Sequence, residues 1–317
     1  MITSSIVKLL LLIPLLFSGA DALSMDYYMM SCPFMEQIIS NTVNQALNRN
    51  PGLAAGLLRL HFHDCFVQGC DGSVLIDSTN DNMAEKDSPA NLSLQGYEVI
   101  DRMKELIEDQ CPGVVSCADI VALAAREAVF WAGGPYYDIP RGRKDGRRSR
   151  IEDTINLPAP TLNSTELINM FGKHGFTAQE LVALSGGHTL GVARCASFKH
   201  RLSNFDEAND VDPVMDSSFA MALSRTCGDG DDVRVAFDRT RNSFDTGYFN
   251  ALQRGMGVLS SDQTLFSDPR TRRVVNGYAM NEAMFFLDFE QAVTKMGLMN
   301  VKEGNQGEVR RNCRRVN

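Results

Sequence analysis

The fifteen residues Arg59-Leu60-His61-Phe62-His63-Asp64-Cys65-Phe66-Val67-Gln68-Gly69-Cys70-Asp71-Gly72-Ser73 bring together one arginine, two histidines, two aspartates and two cysteines. The apolar lead from Gly52 to Leu58 predicts a buried helix running into them. On such a helix Arg59 and His63 stand four residues apart and share a face, with Phe62 beside them. His61 turns about 200° away from His63, because two residues separate them. A guanidinium and an imidazole held side by side can move a proton on a small polar substrate and stabilise the charge that develops there. Further on, Asp64, Val67, Gly69, Asp71 and Ser73 set oxygen donors at intervals through a tight turn, which suits a hard cation such as calcium. The same spacing also describes a structural Arg–His pair followed by an ordinary Asp/Ser turn.

The elements needed to hold these groups are legible as apolar stripes. Ile39, Val43 and Ala46/Leu47 fall on one helical face before an Asn-Arg-Asn-Pro stop. Tyr97, Ile100, Met103 and Ile107 do the same before Cys111-Pro112-Gly113, and the Ala-rich run from Cys117 to Phe130 fits a buried helix ending at Gly133-Gly134-Pro135. Leu167, Met170, Phe171 and His174 form another stripe, and Phe285, Phe289, Ala292 and Met296 step by four, three and four. Leu181, Leu184 and His188 continue one periodic run, which would turn His188 toward the core. Strand patterns are few, and 157–160 and 203–216 are loops by composition. The fold class is mainly α, with little β.

The 317 residues, 44% of them hydrophobic, suffice for a large core. Residues 1–22 stand apart. Lys8, the apolar run Leu9 to Phe17 and Ala20-Asp21-Ala22 read as a secretory signal peptide, too short to span a membrane. The segment carries Lys8 and Asp21, so its removal leaves the net charge at −8. That charge argues against nucleic acid and anionic membranes as partners. The basic run Arg141 to Arg150 is best read as a solvated loop. Eight cysteines, all beyond residue 22, imply disulfides in an exported chain, although they allow 105 pairings and spacing favours only Cys65–Cys70. A thiolate metal site is the competing reading, and paired C-x-x-C knuckles are missing.

Leu58-Arg59-Leu60-His61-Phe62-His63-Asp64-Cys65-Phe66-Val67 with Gly69-Cys70-Asp71-Gly72-Ser73 resembles the distal helix of plant secretory (class III) haem peroxidases. Leu184-Ser185-Gly186-Gly187-His188-Thr189-Leu190-Gly191 resembles their proximal haem-ligand motif. The resemblance runs from about Tyr28 to Asn317. It implies two helical halves that sandwich haem b within one domain over 23–317, the distal half about 23–160 and the proximal half about 161–317. It implies Cys32–Cys111, Cys117–Cys313 and Cys195–Cys227 as the other disulfides.

By the same resemblance His188 is the axial iron ligand, its second nitrogen held by Asp262 in Ser261-Asp262-Gln263. His63 is the acid–base group for hydrogen peroxide and Arg59 the charge stabiliser. Asn91 fixes the His63 tautomer, and Glu85 links that network to the calcium loop. Two calcium ions are implied. The distal one uses Asp64, Asp71 and Ser73 with the carbonyls of Val67 and Gly69. The proximal one uses Thr189, Asp238, Thr240, Asp245 and the Ser243 carbonyl. Asp238-Arg239-Thr240 is one residue shorter than the family pattern, which makes Asp238 the least secure ligand. Tyr137 stands where the family often has Trp, and Gln95 where it often has Arg. Pro158 matches the residue whose carbonyl meets aromatic donors at the haem edge.

The implied protein is a secreted monomer of the cell wall space that oxidises phenolic donors by one-electron steps. The ending Asn-Cys-Arg-Arg-Val-Asn carries no apolar extension, in keeping with export. Of two glycosylation sequons, Asn163-Ser164-Thr165 is expected to carry sugar, whereas Asn91-Leu92-Ser93 is excluded if Asn91 is bound to His63. His61, His174 and His200 are read as structural. Two alternatives are a catalytically silent, calcium-bound wall protein of the same fold, and a haem-independent calcium protein braced by disulfides.

Overall fold

Ile39, Val43 and Leu47, spaced by four, are wholly buried on helix α1 (Met35–Arg49) in a computed structural model that describes residues 23–317. The leader read at residues 1–22 lies outside the described residues. Helix α2 (Leu53–Val67) carries the Arg59–His63 face, and α3 (Tyr97–Gln110) buries Tyr97, Ile100, Met103 and Ile107. Helix α4 (Cys117–Trp131) is buried along every face from Cys117 to Val129, which is why its sequence reads as apolar without a stripe. Its alanines let α1 and α2 lie against it, and Ser116 caps it by accepting from the Asp119 N–H at 3.1 Å. α2 is therefore a wall backed by a rigid central helix.

The second group of helices supports the other side of the site. α5 (Ser164–Lys173) and α6 (Ala178–Ser185) each begin with a capping box, from Asn163 with Glu166 and from Thr177 with Glu180. α7 (Ser217–Cys227), α8 (Gly247–Gln253), α9 (Ser260–Ser267), α10 (Pro269–Met280) and α11 (Glu282–Met296) follow. α11 lies on α6, burying Phe285, Phe289, Ala292 and Met296, and α10 covers α8 and α9. Strand β1 (Val192–Arg194) pairs antiparallel with β2 (Arg234–Ala236) in the register Val192↔Ala236. A smaller apolar cluster around Cys195, Phe198, Leu223 and Cys227 packs near this ribbon.

Four disulfides join Cys32–Cys111, Cys65–Cys70, Cys117–Cys313 and Cys195–Cys227, and none of the described cysteines is free. Among the described residues no helix is long and apolar enough to cross a membrane. One sequence expectation needs correction. α6 stops at Ser185, and His188 sits in the tighter 3-10 turn Gly186–Thr189 rather than on a continued helix. Its side chain therefore leaves the core-facing stripe and stays 40% exposed. The change from 3.6 to about 3 residues per turn swings it out.

Candidate active site

Arg59 and His63 leave the same face of α2. The Arg59 Nε–H donates to His63 Nε2 at 3.0 Å, while Nη1 and Nη2 donate to Ser93 Oγ at 2.7 Å and to the Ala90 carbonyl at 3.0 Å. These bonds fix the guanidinium at the Nε2 edge of the imidazole. On the other side of the ring, His63 Nδ1 lies 2.6 Å from Asn91 Oδ1. The Asn91 amide nitrogen donates to the Glu85 carbonyl at 2.8 Å, which turns the oxygen toward His63. Nδ1 therefore carries the proton and Nε2 is the basic nitrogen. Burial first, then the adjacent Arg59 guanidinium, lowers the His63 pKa to about 3, with the Asn91 bond opposing and His188 adding to the fall. His63 is a neutral base at ordinary pH. Burial lowers Arg59 to about 10, so it remains a cation. Phe62 stacks on Phe66 at 4.3 Å and stiffens this face.

His188 stands on the turn Gly186–Thr189. Its turn packs on α2 closely enough that a Cβ on Gly187 would come within 3.3 Å of Leu58 Cδ2, next to Arg59 in sequence. His188 Nδ1 is 2.8 Å from Oδ1 of the buried Asp262, and the ring stacks on Phe237 with 4.5 Å between centroids and 3° between planes. One nitrogen is thus anchored to a carboxylate, the ring is clamped, and the other nitrogen is left to the exposed side. A metal-ligating imidazole requires that arrangement, so the residues fit an axial ligand to a haem.

Below the distal residues, Asp64, Asp71, Ser73 and Glu85 are all buried. Asp64 accepts from Gly72 N–H at 2.9 Å, and Asp71 Oδ1 accepts from Ser73 N–H at 3.1 Å. Ser73 Oγ and both Glu85 carboxylate oxygens have no hydrogen-bond partner. Burial and the nearby Asp64 push Glu85 up to about 9, and burial with Asp71 pushes Asp64 up. Buried oxygens left without a donor are costly, and hard oxygens suit calcium, but among the described residues no three acidic, histidine or cysteine side chains converge as a metal-binding group. Val67 ends α2, where carbonyls lack helical partners. Gly69 (φ 105°) and Gly72 (φ 70°) make the left-handed turns that the loop needs.

The proximal oxygens also converge. Thr189 Oγ1 is 2.7 Å from Asp238 Oδ2, 3.2 Å from Asp245 Oδ1 and 3.5 Å from the Ser243 carbonyl. Thr240 Oγ1 is 3.2 Å from Asp238 Oδ1 and 3.1 Å from Asp245 Oδ1. A hydroxyl has one proton and cannot satisfy several acceptors at once, so this crowding also fits a cation. The shortened Asp238-Arg239-Thr240 spacing leaves Asp238 within the cluster.

The remaining histidines stand apart. His61 is buried, with Nδ1 3.6 Å from Cys65 Sγ, and burial lowers its pKa to about 3. His174 ends α5 and His200 lies in an exposed turn. Pro158 is half-buried in its loop. A surface pocket of about 430 Å³, lined in part by Lys173, His174 and Lys295, contains none of the site groups.

Sequence reasoning missed Tyr248, whose buried hydroxyl donates to Asp262 Oδ1 at 2.9 Å, the same oxygen that His188 uses. It also missed Phe237, Ser93 and the Ala90 carbonyl. Tyr248 sits in an aromatic pair, Tyr248-Phe249, that spacing marks only as core. Ser93 was visible only as part of a sequon.

The family model described as "Peroxidase" matches residues 39–281. Peroxidase 47 of Arabidopsis thaliana is 63% identical over 100% of this chain and 97% of its own length. Peroxidase 64 of the same plant is 48% identical over 93% of each chain, and Peroxidase 5 of Vitis vinifera 46% over 93% and 92%. By these matches over most of its length, this chain belongs to the peroxidase family, among the class III enzymes of plants.

Proposed function

We propose that Arg59, His63 and Asn91 are the peroxide-handling groups of this peroxidase and that His188 with Asp262 holds its haem. The observation that carries the reading is the continuous chain from Arg59 through His63 to Asn91, together with His188 anchored on Asp262 in a turn that packs against the same helix. When bound, haem supplies the redox chemistry that couples reduction of hydrogen peroxide to two one-electron donor oxidations. His63 Nε2 takes a proton from one peroxide oxygen and gives it to the other, acting first as base and then as acid. Asn91 keeps Nδ1 protonated so that the lone pair is on Nε2, where peroxide would replace the Arg59 Nε–H that it accepts in this structure. Arg59 stabilises the negative charge on the departing oxygen. Asp262 fixes the His188 ring and raises its electron density.

Phenolic donors are the substrate class that this reading favours, with the Pro158 carbonyl as the group that would meet them. The distal and proximal oxygen clusters would each hold one calcium, bracing the Asn91–Glu85 network and the His188 turn. Four disulfides belong to an oxidising compartment, in keeping with export to the wall space. By this reading the distal half of the domain supplies the proton chemistry and the proximal half the axial ligand.

The direct test is a Soret band together with peroxide-dependent oxidation of a simple phenol. Haem binding without phenol oxidation would favour the silent wall protein. Calcium removal offers a second check. Chelation is expected to lower the midpoint of thermal unfolding and the turnover rate, and restored calcium should recover both. Activity and melting that ignore the chelator would remove calcium from the scheme.

A third check concerns sugar. Asn163 is exposed and caps α5 through Oδ1 alone, accepting from Thr165 and Glu166 N–H at 3.0 and 3.1 Å. Asn91 is buried with both ends of its amide engaged. Peptide mass mapping of the exported protein should find glycan on Asn163 and none on Asn91. Sugar on Asn91 is incompatible with its bond to His63.

A further inference from the structure

Lys302 reaches back from the chain's last segment to the distal oxygen cluster. Its Nζ lies 2.6 Å from Asp71 Oδ2, and among the described residues no other acceptor holds the ammonium. Its backbone is fixed, because its carbonyl accepts from Lys144 N–H at 2.8 Å in an isolated antiparallel bridge. The carboxylate that it meets is 2% exposed, whereas the lysine side chain is 29% exposed. The ammonium therefore pairs with a buried carboxylate from a side chain that is itself partly exposed. Arg310 closes a neighbouring side, with Nη2 donating to the Gly72 carbonyl at 2.6 Å.

We propose that Lys302 is a built-in counter-cation of the distal calcium site, one that lowers its affinity for calcium and supports the loop when the metal is absent. The inference rests on the distal site proposed above. A calcium held by Asp71 would sit a few ångströms from a permanent positive charge on the same carboxylate, and the two repel. The lysine also removes part of the electrostatic reason for binding. Asp64, Asp71 and Glu85 are each buried, and Asp71 is already paired with Lys302. Both effects act in the same direction. A cation on a tethered side chain is always present at high local concentration, whereas calcium competes from solution.

Lys302→Met keeps the length and apolar stem of the side chain and removes only the charge. Calorimetric titration of calcium into chelator-stripped protein should resolve two binding events in the parent chain. In Lys302→Met one of them should tighten about tenfold or more while the other stays within twofold. In parallel, chelation should depress the unfolding midpoint more in Lys302→Met than in the parent. Equal affinities in the two proteins, or weaker binding in the variant, would overturn the counter-cation role and leave the distal site standing. Equal tightening of both events would also overturn it, because a general change in net charge then explains the result. No calcium uptake by either protein would remove the site itself, and the inference with it.

Discussion

His63→Ala keeps its haem and reacts with hydrogen peroxide about a thousandfold more slowly, within the range expected for loss of a positioned acid–base group. The substitution removes the only group placed to move a proton between the two peroxide oxygens, but it touches neither His188 nor Asp262. The deficit should therefore appear in the peroxide step, read by stopped-flow absorbance, with the resting spectrum little changed. Arg59→Leu should cost about a hundredfold in the same step, since it removes charge stabilisation and spares the proton path. The pH profile gives an independent check. The His63 pKa lies at about 3, lowered first by burial and then by Arg59. The neutral base is present above that value and is lost only as pH falls through it. The rate constant for peroxide should stay flat from about pH 8 down to about pH 5, straight through the ordinary histidine value near 6.5. A fall centred near 6.5, or a His63→Ala enzyme within tenfold of the parent, would show that another group carries the proton.

The helices were largely legible because periodic burial is written directly in the residues. Ile39, Val43 and Leu47 on α1, and Phe285, Phe289 and Ala292 on α11, are all at or near complete burial. The Arg59–His63 pair was legible for the same reason, since both stand on one regular helix. His188 was harder. Its periodicity points inward, and only the Gly186-Gly187 pair hints that the helix tightens before it. The partners of the catalytic groups were least visible. Ala90 contributes a carbonyl, which every residue has, and Ser93 lies 34 positions from the arginine that it holds. The ribbon of β1 and β2 was obscured because Arg194 faces Arg234 across it, a pairing that like charges disfavour. Lys302 looked like any charged residue of a terminal loop. Its contact with Asp71 spans 231 positions, and no local pattern records it.

His188→Ala should fail in a different way from His63→Ala, by losing haem rather than by losing proton transfer. Removal of an outer-shell partner such as Asp262 costs about 10–100-fold in affinity for a bound metal, and loss of the ligand itself should exceed that. The measurement is the rate of haem transfer to an excess of an acceptor apoprotein, followed by the Soret band. Variants of the carboxylate then separate anchoring from electronics. Asp262→Asn keeps an oxygen for the His188 N–H and removes the negative charge, so it should retain haem better than His188→Ala and raise the iron reduction potential. Tyr248→Phe does the reverse. Tyr248 and His188 donate to the same oxygen, at 2.9 and 2.8 Å, so the phenol withdraws acceptor strength that the imidazole would otherwise receive. Freed of it, Asp262 should pull harder on the Nδ1 proton, make the ligand more anionic and lower the potential. Opposite shifts in the two variants would establish that the negative charge reaching the iron ligand is set by competition between two donors for one carboxylate oxygen. Shifts of the same sign would mean that the tyrosine only packs the pocket.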